Sequence, residues 1–337
     1  MTPDRLLEIW RGLGEEPSNP TGLQRIRLDT ETAIDVFACI FWPSRRPGIL
    51  IEGLGEQRPI GGRIPTCRGV RTVHEVIETP EPRTILRIML EDDRLLPIFA
   101  VLSADLIGIA IAQPTVSAAL RRCIDRLCMW QGLFERVPAE GLSEESQRGL
   151  LGELLVLETL LLDRLDPLVA VTAWVGPDPA HQDFIHFGTA IEVKTSLAKR
   201  HARIIIANEK QLDERPHDAL VLVHLRMDES ASLGQSLPTA VARLRQILAG
   251  DAAAAQEFDD RLMLGGYLDL HALLYTSNRW RVSSTHCYRV QGAFPRLTEA
   301  NLPTGVGDIR YSIIADDLGA YEITTDEAAQ LLEIDHV

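Results

Sequence analysis

The sequence predicts an α/β protein: a β-rich N-terminal domain over 1–113, a helical connector over 114–140 and an α/β domain over 141–337. Three observations predict it. Apolar, β-branched runs broken by Pro and Gly fill residues 24–91. A leucine-rich helical pattern begins after Ser143. From there helical and strand patterns alternate, as in an α/β core.

Each element has its own signal. Residues 3–13 read as a short amphipathic helix. Ala33 to Trp42 is rich in Ile, Val and Phe and is stopped by Pro43. Gly48 to Glu52, Val70 to Glu78 and Thr84 to Leu90 follow, separated by Gly61-Gly62 and Pro80-Glu-Pro82, which is the pattern of an antiparallel sheet. Leu95 to Ala112 is apolar enough for a membrane, but Pro97, Asp105 and Gly108 interrupt it. A central aspartate is costly in lipid, so a buried core segment is expected. Pro114 suits a helix start, with Leu120, Ile124, Leu127 and Gln131 on successive turns. Arg136 to Gly141, with Pro138, marks a break.

Ser143-Glu-Glu-Ser-Gln147 supplies a hydroxyl N-cap and acids in a first helical turn. The leucines from Leu150 to Leu161 lie nearly all round this helix, so it should be buried. Val169 to Val175 is expected as a strand and Gly176-Pro-Asp-Pro179 as a turn. Asp183-Phe-Ile-His-Phe-Gly188 then reads as a strand and tight turn, and Thr189 to Lys194 as a second strand. Arg203 to Ala207, Ala219 to Leu225, Trp280 to Val290 and Ile309 to Ala315 are further strands. Asn208 to Asp213 is expected to start a helix, and 238–249, 252–263 and Thr325 to Ile334 are helical.

Composition narrows the function. The chain has 337 residues, 45% of them hydrophobic and 24% charged, and a net charge of −14. That charge argues against broad nonspecific binding to DNA, so a nucleic-acid site must be a local basic surface or be shared with a partner. Five scattered cysteines without CxxC spacing read as reduced thiols of a cytoplasmic protein, not as a zinc site or a disulfide framework. The N-terminus lacks the charged and apolar regions of a signal peptide.

The chemistry concentrates between Glu153 and Lys194. Residues i and i+2 of a strand share a face, which puts Lys194 beside Glu192. Asp183 and Glu192 offer two carboxylates from adjacent strands, and the Val193 carbonyl is a third hard oxygen. Mg²⁺ prefers a few such oxygens at ~2.1 Å. A metal there polarises a phosphoryl oxygen, and Lys194 holds or deprotonates a water or neutralises developing charge. Read alone, Glu192 and Lys194 describe a solvated strand face more readily than a site. The apolar Ile191 and Val193 favour burial, and buried acids need a partner. Glu153 sits among Leu150, Leu154 and Leu157. Gly149 and Gly152 on the same helix suggest close approach of another backbone.

Gly149-Leu-Leu-Gly-Glu153, Asp183-Phe184 and Ile191-Glu-Val-Lys-Thr-Ser196, in that order, resemble the PD-(D/E)XK nuclease superfamily. More closely, the chain resembles the PD-(D/E)XK-motif proteins of bacterial restriction and phage-defence loci. Asn208-Glu-Lys-Gln-Leu212, Phe294-Pro-Arg-Leu, Gly305 and Tyr311 also fit that group. Gln182 stands where the motif's proline would precede Asp183. Asp178 follows Pro177 but lies in the turn. The resemblance implies a restriction-endonuclease-like core, a mixed sheet flanked by helices. It implies Asp183, Glu192 and Lys194 as the catalytic core, with Glu153 assisting Mg²⁺, for which Mn²⁺ can substitute. The substrate would be DNA, with RNA open. Gln211 either approaches this site or completes a capping box with Asn208. His181, Thr195 and Ser196 are accessory candidates; His181 and His186 read more readily as structural or surface residues. Lys199, Arg200 and Arg203 form a local basic run for phosphates or a solvated loop. Without a sequence-reading motif, specificity falls to the N-terminal domain, to Trp280-Arg281 or to partners. An alternative is a non-cleaving or partner-dependent recognition or assembly subunit working with a helicase-like ATPase or a methyltransferase. A homodimer is open, and a membrane is not expected.

Overall fold

A computed structural model describes residues 1–15, 21–28, 34–55, 64–78, 80–136, 141–177, 181–197 and 203–333. It divides into two compact units, Met1–Glu140 and Gly141–Val337.

The first unit contains α1 (Pro3–Glu15), β1 (Gly22–Arg27), β2 (Asp35–Trp42), β3 (Arg46–Leu54), β4 (Val70–Ile77), β5 (Arg83–Leu90), α2 (Leu96–Ile111) and α3 (Val116–Arg136). The strands form one antiparallel sheet in the order β1-β2-β3-β5-β4. Alternation sends Val36, Ala38, Ile49, Ile51, Leu86 and Ile88 to one buried face. The helices cover that face: a Cβ on Gly53 would strike the Val116 side chain of α3. The stretch expected as a connector is thus a core helix of this unit, with Ala119, Cys123, Leu127 and Trp130 buried.

Helix α2, with the short turn before it, is long and apolar enough to cross a membrane by length and composition. Here it packs inside the unit, with Phe99, Leu102 and Leu106 fully buried. Its Asp105 accepts hydrogen bonds from Arg126 Nε at 2.6 Å and Trp130 Nε1 at 2.7 Å. The acid that argued against lipid is closed by α3.

The second unit begins with α4 (Glu144–Val156), whose Ser143 caps it through the Ser146 N–H. Gln147 donates to the Leu142 carbonyl and takes no part in that cap. A π turn (Leu157–Leu161) and α5 (Pro167–Ala173) follow. The strand expected at Val169–Val175 is therefore a helix. Proline at its first turn presets φ, and buried Ala170, Val171 and Ala173 outweigh the β-branched propensity.

The strands β6 (Phe184–His186), β7 (Thr189–Leu197), β9 (Ala219–Glu229), β10 (Trp280–Arg289) and β12 (Glu322–Ile323) form a sheet ordered β12-β10-β9-β7-β6. Only the β7–β9 pair is parallel, so the sheet is mixed. On one face Ile191, Val193, Val221, Val223 and Leu225 join a core with α4, α6 (Leu237–Leu248) and α7 (Ala252–Leu264). On the other, Ala190, Leu220 and Leu222 pack with Ile204, Ile206 and Ile313 from a second small sheet, β8 (Arg203–Ile206) with β11 (Tyr311–Ile314). Helices α8 (Ala272–Tyr275) and α9 (Thr325–Glu333) complete the unit.

No helix starts at Asn208; residues 208–212 are turns. The Asn208 side chain accepts from the Lys210 N–H and Gln211 Oε1 from the Ala207 N–H. These local bonds compete with helix formation.

Candidate active site

Strand alternation in β7 sets the site. Ile191 and Val193 enter the helix-side core, so Glu192 and Lys194 face the other way. Glu192 is 1% exposed, and Lys194 Nζ stands 2.5 Å from its Oε1. Lys194 is the one partner of this buried carboxyl among the described residues, and Glu192 Oε2 has none. A buried acceptor without a donor costs free energy that a cation can offset.

Asp183 precedes β6. Its backbone is fixed on both sides: its carbonyl accepts from Val175 and Gly176, and its N–H donates to Ile191. Its Oδ2 accepts from the Val193 N–H at 2.7 Å. Glu153, on α4, accepts from the indole N–H of fully buried Trp174 at 2.8 Å. Gly176 shows how near the two acids come. A Cβ there would lie 2.9 Å from Asp183 Oδ1 and 2.9 Å from Glu153 Oε2. Any side chain at position 176 would intrude between them.

The electrostatics follow. Burial, then repulsion from Asp183, holds the Glu153 carboxyl well above the ordinary range. Burial also raises Asp183, against the lowering pull of Lys194 and the Val193 N–H. Glu192 is pushed up to about 8, first by burial and then by Asp183. Burial opposes the Lys194 ammonium, but Glu192, Asp183 and Glu153 outweigh it, and its pKa stands above the usual lysine value.

Glu153, Asp183, Val193 and Lys194 line a cleft of about 670 Å³, and Glu192, 1% exposed, is buried behind its wall. Thr195 and Ser196 continue along it from β7, Gly149 and Arg148 belong to α4, and Arg203, Gln211 and Arg310 close the far side. Ser196 Oγ lies 2.8 Å from Nε2 of His224, whose pKa burial depresses to about 4. Gly152 meets side chains and not backbone: a Cβ would sit 2.4 Å from Thr195 Cγ2. Gly149 is open, with nothing within 4 Å.

Other expectations fare differently. Gln211 lines the cleft, but its oxygen is used by the Ala207 N–H and no helix exists for it to cap. His181 lines a separate cavity of about 490 Å³ with Lys210, Asp213 and Arg215, so it does not join the acids. His186 packs on Phe187 with ring centroids 4.1 Å apart. Lys199, Arg200 and Asp178 lie outside the described residues. Arg148, Arg310, Trp174 and Gly176 were not read as site residues. Only Trp174, a buried indole needing an acceptor, carried a general signal.

A family model described as "Putative PD-(D/E)XK family member, (DUF4420)" matches residues 6–316. The chain belongs to this PD-(D/E)XK family. No curated protein and no solved structure matches it. The mixed sheet flanked by helices is the architecture expected of a PD-(D/E)XK fold, here preceded by an antiparallel β-rich region.

Among the described residues no three His, Cys, Asp or Glu side chains gather round one point. The three-carboxylate ligand set is therefore not preassembled, because Lys194 engages Glu192, and Trp174 and the Val193 N–H engage the other two acids. The chemistry of the donors still fits. Asp183, an adjacent glutamate and the Val193 carbonyl are hard oxygens suited to Mg²⁺, and Glu192 Oε2 has no partner among the described residues.

Proposed function

We propose that this PD-(D/E)XK protein is a Mg²⁺-dependent DNA endonuclease that hydrolyses phosphodiesters in antiphage defence or restriction. The observation that carries this reading is the convergence of Glu153 Oε2 and Asp183 Oδ1 on the point above Gly176, beside buried Glu192 and its Lys194. Asp183, Glu192 and the Val193 carbonyl hold Mg²⁺ or Mn²⁺, with Glu153 assisting. When bound, the metal polarises the phosphoryl oxygen and favours a nucleophilic hydroxide. Lys194, fixed by Glu192, orients the attacking water and neutralises charge on the phosphoryl group. Trp174 holds Glu153 in place through its indole N–H. The Asp183 carboxylate is held by the Val193 N–H, so the atoms that bind the metal belong to a rigid strand pair.

The decisive experiment incubates plasmid DNA with wild type and Lys194→Ala in Mg²⁺ or Mn²⁺. Wild type is expected to nick or linearise it, and the variant to lose at least about a hundredfold in rate, roughly 3 kcal/mol of transition-state stabilisation. Equal cleavage by both would remove Lys194 from the mechanism. A second reading, favoured by the net charge of −14, is a recognition or assembly subunit that acts with a helicase-like ATPase or methyltransferase. It predicts no cleavage by the purified chain, with cleavage restored by the products of neighbouring genes.

A further inference from the structure

The cleft carries cations that its acids do not neutralise. Arg148 on α4, Arg203 at the start of β8 and Arg310 just before β11 all line it. Arg148 Nε is buried without a hydrogen-bond partner, and none of the three has an ion pair among the described residues. Among other arginines of the same unit, Arg164, Arg215, Arg243, Arg245 and Arg261 each pair with an Asp or Glu. Of the acids lining the cleft, Glu153 is engaged by Trp174 and Asp183 by the Val193 N–H, and exposed Glu145 forms no ion pair with these arginines among the described residues.

Arg310 is held in place by its own loop. Glu209, 5% exposed, accepts from the Asp308 N–H at 3.3 Å and from the Ile309 N–H at 3.0 Å. This fixes the backbone immediately before Arg310, with Asp308 at φ 54°. Arg310 itself is exposed; the buried Arg148 Nε–H without an acceptor costs free energy, which a ligand bringing oxygens restores. Guanidinium forks match phosphate oxygens two at a time.

We infer that Arg148 and Arg310 form a phosphate-binding pair that seats a nucleic-acid backbone in the cleft, with Glu209 as the positioning residue of Arg310. The identity of the polyanion rests on the nuclease reading; the anion site rests on the unpaired arginines. In a chain of net charge −14, such a local pair concentrates the attraction for phosphate at the acids that hold the metal.

The test measures binding of a short fluorescent DNA duplex by anisotropy across a salt series in EDTA, where metal-dependent cutting is absent. Arg148→Gln and Arg310→Ala should each weaken binding about tenfold, as for a lost charge-assisted contact. Each should flatten the slope of log K against log salt by about 0.9. Arg289→Ala, outside the cleft, should change both less. Glu209→Ala should lose what Arg310→Ala loses, and the double variant no more than Arg310→Ala alone. Melting curves matching wild type show that the variants fold, and Arg148→Lys should recover part of the affinity. Wild-type affinity and slope in both arginine variants overturn the inference, as does a wild type that binds no duplex in EDTA or Mg²⁺. The two readings fail separately. Arginine-dependent binding with no Lys194-dependent cutting leaves the anion site and removes the nuclease. Lys194-dependent cutting with indifferent arginines does the reverse.

Discussion

Each unit buries a glutamate in the middle of a sheet, and the two are treated in opposite ways. Glu52, on β3 of the first unit, is 4% exposed and accepts a hydrogen bond from Arg25. Its neighbours are closed alike: Asp35 takes both Arg27 and Arg83, and Glu75 takes Arg87. Glu192, on β7 of the second unit, is more deeply buried, yet Lys194 meets one of its oxygens and the other has no partner among the described residues. Asp183 and Glu153 stand beside it, and Lys194 is shared among all three. Charge closed in pairs belongs to the scaffold. Charge left open beside a cleft is free to meet a ligand, at a cost to the fold.

Glutamine at each position breaks the comparison most directly. Glu192→Gln is expected to lower plasmid cleavage by about 100- to 1,000-fold, since a metal's charge stabilisation is worth several kcal/mol. In EDTA the same variant should melt no lower than wild type, because it removes a buried like charge from beside Asp183. Glu52→Gln should do the opposite, melting lower while cutting at the wild-type rate. Matching behaviour of the two variants in either assay would erase the distinction.

The metal gives the next largest effect. Saturating Mg²⁺, at about 100 times its Kd, should stabilise wild type by about 2.7 kcal/mol in thermal unfolding. Asp183→Asn should abolish the shift and Glu52→Gln should preserve it. A shift surviving in Asp183→Asn would place the ion elsewhere.

Much of this contrast was legible before the structure. Strand period placed Glu192 and Lys194 on one face, and Ser143 marked the start of the helix that carries Glu153, because both signals are local. The β-rich region and the α/β character of the second unit follow from similarly local patterns, whereas the mixed sheet is implied by the family resemblance. What failed was also local but overruled: α5 reads as a strand until Pro167 and its buried face are weighed, and Asn208 invites a helix that its own side chain diverts into a turn. What stayed hidden was convergence. Arg148 and Arg310 come from opposite ends of the unit and meet only at the cleft. Gly176 reads as an ordinary Gly-Pro turn until two carboxylates are seen to converge beside it.

Gly176 sharpens the comparison by asking how tightly the open acids are set. Gly176→Ala puts a methyl group 2.9 Å from an oxygen of each acid, and one of them must shift. A cost of about 1–3 kcal/mol in stability and a clear fall in cleavage are expected. Gly149→Ala, on the same cleft, meets nothing within 4 Å and should gain up to about 1 kcal/mol from helix propensity. Melting curves and cleavage rates of the two variants separate crowding of the acids from crowding of the cleft.

The smallest effect tests the closed side. Arg25 donates to Glu52 while its guanidinium lies 4.2 Å from the Phe37 ring centroid, and its side chain is 42% exposed. Solvent screens a pair that open, so Arg25→Met should cost only about 1 kcal/mol. The methionine keeps an apolar stem on Phe37, and the Glu52 oxygen that loses its donor accounts for most of that cost. Added salt should shrink the difference between Arg25→Met and wild type, because salt weakens the pair only where the arginine is present. Mg²⁺ should leave the difference unchanged. Denaturant melts at two salt concentrations, each with Mg²⁺ and with EDTA, make the measurement. A Mg²⁺-dependent cost at Arg25 would mean that the two glutamates are coupled, and that the closed charges of the first unit take part in the chemistry of the second.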